Sequence, residues 1–89
     1  MQIEKRLIIK NKRGLHARAA AKFVALAGSF TSDIDVERNG QTVSGRSIMG
    51  LMMLAASTGT EIRVCAQGDD AEQALGAIEA LTENKFDED

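Results

Sequence analysis

Tryptophan, tyrosine and proline are absent from this 89-residue chain, which also has one cysteine and one histidine. Without Trp or Tyr there is no aromatic platform for stacked bases, and a net charge of −2 gives no bulk attraction to a phosphate backbone. No nucleic-acid partner is therefore expected. A lone Cys65 cannot close an internal disulfide, and with a single histidine it leaves too few ligands for a structural zinc site. No apolar run approaches the roughly 18 residues of a membrane span, and the charged opening MQIEKRLIIK does not read as a secretory signal. The expectation is a cytoplasmic protein with no membrane partner, no metal and no cofactor. Phosphate-gripping glycine loops are missing, as are paired carboxylates or a second histidine for acid–base work. Such a chain is not a free-standing enzyme, and any group transfer it performs needs a second protein.

What is present describes one small domain, residues 1–89. A chain of this length buries about 60% of its unfolded surface, enough for one core layer. With 44% hydrophobic residues and only three Phe, that core is built from Ile, Leu, Val, Met and Ala. In 3–10, Ile3, Leu7 and Ile9 fall at alternating positions and predict a strand. After the turn NKRG, the segment LHARAAAKFVALAG places Ala20, Phe23, Val24 and Ala27 on one helical face, with Gly28 as its stop. Phe30, Ile34 and Val36 alternate as a second strand, and Asn39-Gly40 has the composition of a two-residue type I′ hairpin turn. A turn there sets Val36 opposite Val43. Ser47-Ile48 opens a short helix running to about Ala56, with Ile48, Leu51, Met52 and Ala55 as its core-facing stripe. Ile62, Val64 and Ala66 mark a fourth strand, and Asp69 with Glu72 resembles a capping box. Ala71, Ala74, Leu75, Ile78 and Leu81 line a last helix, with a frayed tail expected after Lys85. The order β-α-β-β-α-β-α, with one apolar face per strand, predicts an α/β open-faced β-sandwich: a four-stranded antiparallel sheet with three helices on one face.

Charge and chemistry concentrate in one stretch. Residues 5–22 hold Lys5, Arg6, Lys10, Lys12, Arg13, Arg18 and Lys22 without an acid, while the chain ends Asp87, Glu88, Asp89. A basic region on an acidic protein suits an anionic ligand or an acidic partner. His16 falls where the first helix begins, so the orphan amides of Ala17, Arg18 and Ala19 point toward any group attached to it. Arg18 adds a fork of donors suited to phosphate. A neutral imidazole nitrogen is a nucleophile near neutral pH, and its phosphoramidate is labile enough to pass on. The plainer reading is a surface histidine at a helix start. In the second helix, Met49 and Met53 fall off the core stripe, where flexible thioethers suit a docking surface or simply fill gaps. Ser47 caps that helix. Cys65 lies opposite the apolar face of its strand, with no motif around it.

The segments GLHARAAAKF and GRSIMGLMML, about 30 residues apart, resemble the two signature segments of the HPr family, the histidine phosphocarriers of the phosphoenolpyruvate-dependent phosphotransferase system. The Met-rich second helix and the ending FDED are similar to its nitrogen-related branch, NPr. The resemblance implies phosphorylation of His16 on Nδ1 assisted by Arg18, with Enzyme I as donor and an EIIA-type protein as acceptor. It implies regulatory phosphorylation of Ser47 by an HPr kinase/phosphorylase. The implied partner-binding residues are Leu15, Ala17, Ala19, Ile48, Met49, Leu51, Met52 and Met53, on a monomer. One departure stands out: Ala19 occupies the place of the family's usual proline. The alternatives are a non-catalytic module docking through the Met-rich helix, with His16 inert, and a ligand-binding regulator of ferredoxin-like topology.

Overall fold

A computed structural model describes residues 2–88. The alternating segments pair as expected. They form β1 (Gln2–Ile8), β2 (Asp33–Arg38), β3 (Gln41–Ser44) and β4 (Glu61–Gln67), joined into one antiparallel sheet of order β1-β4-β2-β3. Three helices cover one face: α1 (Ala17–Ala27), α2 (Ile48–Met53) and α3 (Ala71–Glu83). Leu7, Ile34, Val36, Ile62, Val64 and Ala66 point inward from the strands and pack in one cluster with Phe23, Leu51, Ala74, Leu75 and Ile78 from the helices. Each large side chain buried there contributes about 1.5–3 kcal/mol, so this layer dominates the stability of the fold. The other sheet face is polar. Arg63 lies 3.3 Å from Glu37 and 3.6 Å from Glu4, with Arg6 and Glu61 at 3.8 Å. Cys65 shares that face, and burial, then the charge of Glu4, push its thiol above its ordinary pKa. The expected hairpin forms as well. Asn39 and Gly40 both have positive φ (52° and 82°), and Val36 stands opposite Val43.

Four expectations need correction. β2 begins at Asp33, not at Phe30, because the amides of Thr31 and Ser32 donate to the Asp70 carboxylate, each at 2.9 Å, instead of to a neighbouring strand. Asp69 and Glu72 form no capping box: the N-cap of α3 is Asp70, and its side chain is engaged by those same amides and by the Ser32 hydroxyl. The second helix stops at Met53 rather than Ala56, and Ala55 takes a left-handed φ of 53°. Over so short a helix the core sees only Leu51 and Leu54; Ile48, Met52 and Ala55 are exposed.

The largest correction is at the C-terminus. The tail is docked, not frayed. Lys85–Asp87 form a 3₁₀ turn with Phe86 fully buried. Lys22 donates to the Phe86 carbonyl at 3.0 Å, and Asn84 donates to Asp87 at 2.6 Å. A phenylalanine three residues from an acidic end carries no periodic signal, so its anchoring role appears only in three dimensions.

Asp70 links two loops through a titratable group. The Ser32 hydroxyl first, then the Thr31 amide, outweigh desolvation and lower its pKa from 3.8 to about 2. A depressed carboxylate stabilises the fold above its unfolded pKa and loses that contribution as pH falls through the folded one. We expect stability attributable to Asp70 to disappear between about pH 4 and pH 2. Asp70→Asn should lower stability at neutral pH and flatten the acid-dependent decline, read by urea unfolding across that range. An unchanged acid profile in the variant would contradict this role.

Candidate phosphoryl-acceptor site

The loop from β1 to α1 is fixed by backbone bonding before any side chain is considered. Ile9 exchanges hydrogen bonds with the loop after α2: its amide donates to the Thr60 carbonyl at 2.9 Å and its carbonyl accepts from Gly59 at 2.7 Å. The Leu15 amide donates to the Ala56 carbonyl at 2.9 Å. Between them, Gly14 adopts φ +66°, and a Cβ there would lie 2.3 Å from the Ala56 oxygen. Only glycine permits both that conformation and that approach. Asn11, fully buried, braces the turn by donating from Nδ2 to the Gly14 carbonyl at 2.8 Å.

His16 emerges from this turn as the N-cap of α1, with extended backbone and no capping bond from its ring. Its carbonyl accepts the first helical bond, from Ala20 at 2.8 Å. The amides of Ala17, Arg18 and Ala19 therefore have no intrahelical partner, which makes this helix end a favourable place for an anion. Arg18, in the first turn of α1, lines with Lys12, Arg13 and Glu88 a cleft of about 240 Å³. Lys5, Lys10 and Lys22 pair with Glu79, Glu83 and Asp87, whereas Lys12, Arg13 and Arg18 join no ion pair among the described residues.

The His16 side chain is less open than expected, with 16% of its surface exposed. Its Nε2 lies 2.6 Å from Oε2 of Glu88, while Oε1 of the same carboxylate accepts from Asn11 Nδ2 at 3.0 Å. Desolvation opposes ionisation of Glu88, but the hydrogen bonds from Asn11 and His16, with the positive charge of Arg18, hold its pKa below the ordinary value. An ionised carboxylate can only accept, so Nε2 is the protonated nitrogen of the neutral ring. That bond is the one the ring makes to the described residues. Sequence reasoning missed Asn11 and Glu88. The one trace of the second was the acidic ending set against the basic stretch 5–22.

The expected docking residues divide sharply. Ala17, Ile48, Met49, Met52 and Met53 are exposed, the last four forming an apolar patch in which Met49 reaches 70% and Met53 62%. Ala19 and Leu51 have no exposed surface, and Leu15 keeps only 5%. They belong to the core because each faces inward at a helix end or in the middle of the short α2. The apolar patch reaches His16 through a groove of about 270 Å³ in which His16, Leu15 and Met52 share a wall. Ser47 caps α2, its Oγ accepting from the Gly50 amide at 2.9 Å.

A family model described as the PTS HPr component phosphorylation site matches residues 3–84. The phosphocarrier protein HPr of Xylella fastidiosa is 48% identical over 87 residues, 98% of each chain. The phosphocarrier protein NPr of Shewanella violacea is 42% identical over 87 residues, 98% of this chain and 96% of its own. Among solved structures, HPr from Thermoanaerobacter tengcongensis superposes with a TM-score of 0.93 at 47% identity, covering 98% of both chains. Crh of Bacillus subtilis, described as a dimer with a swapping domain, gives 0.76 at 44% identity, covering 93% of this chain and 95% of its own. The chain belongs to the HPr family of phosphocarrier proteins of the phosphotransferase system, and carrying phosphoryl groups is the role this family defines.

Gly14 supplies the test of how the site is held. Gly14→Ala adds a left-handed penalty of about 1–2 kcal/mol and must also displace the Ala56 carbonyl. We expect a loss of stability above that penalty in denaturant unfolding, with altered ring resonances of His16. A variant as stable as the parent would show that this contact does not fix the turn.

Proposed function

We propose that His16 accepts a phosphoryl group on Nδ1 from Enzyme I and passes it to an EIIA-type protein. The observation that carries this reading is the placement of the chain's one imidazole. It stands at the positive end of α1, with Nε2 occupied by Glu88, and Arg18 lines a cleft with that same carboxylate. Nδ1 of a neutral ring protonated at Nε2 holds the lone pair needed for attack on phosphorus. The unpaired amides and Arg18 then stabilise the charge that develops on the phosphoryl oxygens. The chain is carrier, not catalyst: the donor supplies the activated phosphoryl group and the acceptor removes it.

Docking falls to Ala17 and the patch Ile48, Met49, Met52 and Met53, with Arg13 in the groove beside Met52 and Lys12 and Arg18 in the cleft that Arg13 also lines. An apolar centre with basic residues to one side suits partners presenting an apolar patch among acidic residues. Ser47, half-buried at the mouth of α2, is the site proposed for an HPr kinase/phosphorylase, and the protein acts as a monomer through a single docking face. Ala19, buried in the first turn, replaces the family's proline and keeps a backbone donor there, so it bears on transfer rate rather than on fold.

His16→Gln should abolish acid-labile phosphorylation by Enzyme I and phosphoenolpyruvate while the circular dichroism spectrum persists; undiminished labelling would sink the proposal. Arg18→Ala should slow transfer by about 10- to 1,000-fold, the worth of roughly 2–4 kcal/mol at a transition state. A rate within twofold of the parent would remove Arg18 from the mechanism.

Phosphate on Ser47 adds about −1.5 to −2 charges beside the apolar patch. Ser47→Asp should weaken Enzyme I binding in titration calorimetry, with part of the defect relieved by salt. Ser47→Ala should bind normally and lose about 0.5–2 kcal/mol of cap stability. Unweakened binding of Ser47→Asp would refute the regulatory role.

A further inference from the structure

Two side chains behind His16, Glu88 and Asn11, are held firmly. Glu88 comes from the far end of the chain, yet only 11% of its side-chain surface is exposed, and the buried Phe86 two residues earlier anchors it. Its two oxygens are divided between two partners, Asn11 Nδ2 at 3.0 Å and His16 Nε2 at 2.6 Å. Asn11 is itself fully buried and tied to the Gly14 carbonyl, so the carboxylate is aimed from a rigid base. Lys22, holding the Phe86 carbonyl, closes the other end of the strap.

We propose that Glu88, oriented by Asn11, is a positioning residue that selects the His16 tautomer and neutralises the ring once it is phosphorylated. This rests on His16 being the acceptor. A neutral imidazole carries one proton, and the carboxylate keeps it on Nε2, which leaves the lone pair on Nδ1. In transfer that lone pair forms the N–P bond as the bond between phosphorus and the donor's leaving atom breaks, its electron pair remaining with the donor. The ring proton stays on Nε2, so the phosphorylated imidazole is a cation facing the Glu88 carboxylate. Passing the phosphoryl group onward reverses each change, and no proton enters or leaves. Arg18, Lys12 and Arg13, on the side lined with Glu88, offer no negative charge to replace it. The hydrogen bond thus acts on the nitrogen that does not react, as a carboxylate does when it orients a catalytic or metal-bound histidine.

The test uses the full chain labelled with ¹⁵N in the imidazole ring, at a pH where the neutral ring prevails. The parent should show Nδ1 unprotonated and Nε2 protonated. Glu88→Gln, whose amide can donate as well as accept, should raise the Nδ1-protonated population severalfold and slow phosphorylation by Enzyme I about 10- to 100-fold, the worth of one charge-assisted hydrogen bond. Glu88→Asp, which keeps the charge on a shorter arm, should recover part of both. Equal tautomer populations in parent and Glu88→Gln, or a transfer rate within twofold at unchanged melting temperature, would overturn the proposal. The tautomer is read in unphosphorylated protein. It therefore fails separately from the acceptor role, which falls if His16→Gln is still labelled.

Discussion

The contact on which the site depends is between backbones: Gly14 in a left-handed turn against the carbonyl of Ala56, with the Leu15 amide bonded to the same oxygen. It joins the segment leading into α1 to the segment leading out of α2. Neither loop could hold His16 alone, since loops are mobile unless their backbone groups are satisfied. Tied together, and to β1 and β4 through Ile9, Gly59 and Thr60, they place the imidazole and the methionine patch on one face. The ring and the exposed apolar side chains therefore share one side of the molecule.

The C-terminal segment completes this arrangement from the other direction. Three lysines of the basic stretch are matched by acids of α3 and the tail, which draws that end of the chain across the N-terminal region. Exposed pairs of this kind contribute little individually. The tail is held instead by Phe86 in the core and by the buried amide of Asn11. Among the described residues, the cleft of Lys12, Arg13 and Arg18 holds one carboxylate, Glu88, and that carboxylate addresses the ring. Charge separation within a chain of net charge −2 yields a locally positive site without making the protein basic.

The division of α2 shows how little core a six-residue helix needs. Leu51 and Leu54 hold it to the rest of the fold, Ser47 caps its start, and Arg38 donates to the Leu54 carbonyl at 3.0 Å just beyond its end. The remaining apolar side chains are free for contact. Methionine suits that position because its unbranched, polarisable chain fits partner surfaces of different shape. A phosphocarrier works with more than one protein, and an adaptable exposed surface is compatible with that.

Periodicity and turn chemistry were enough to read the sheet, its hairpin register and the three helices, because each strand shows a single apolar face and Asn39-Gly40 has one low-strain conformation. His16 and Ser47 were expected at helix starts and stand there as N-caps, while the roles of these two and of Arg18 came only from the resemblance to HPr. Depth was not legible. Leu15, Ala19 and Leu51 look like neighbours of exposed residues in the sequence, and only packing decides that they face inward. Long-range contacts were hidden for the same reason. Asp70 binds amides about 40 residues away, and Glu88 reaches a histidine 72 residues earlier. The sequence by itself determined the elements and the place of the imidazole at the start of a helix, which depend on local spacing. Tertiary structure alone decided which carboxylate meets the imidazole, since that follows from where a buried phenylalanine anchors the end of the chain.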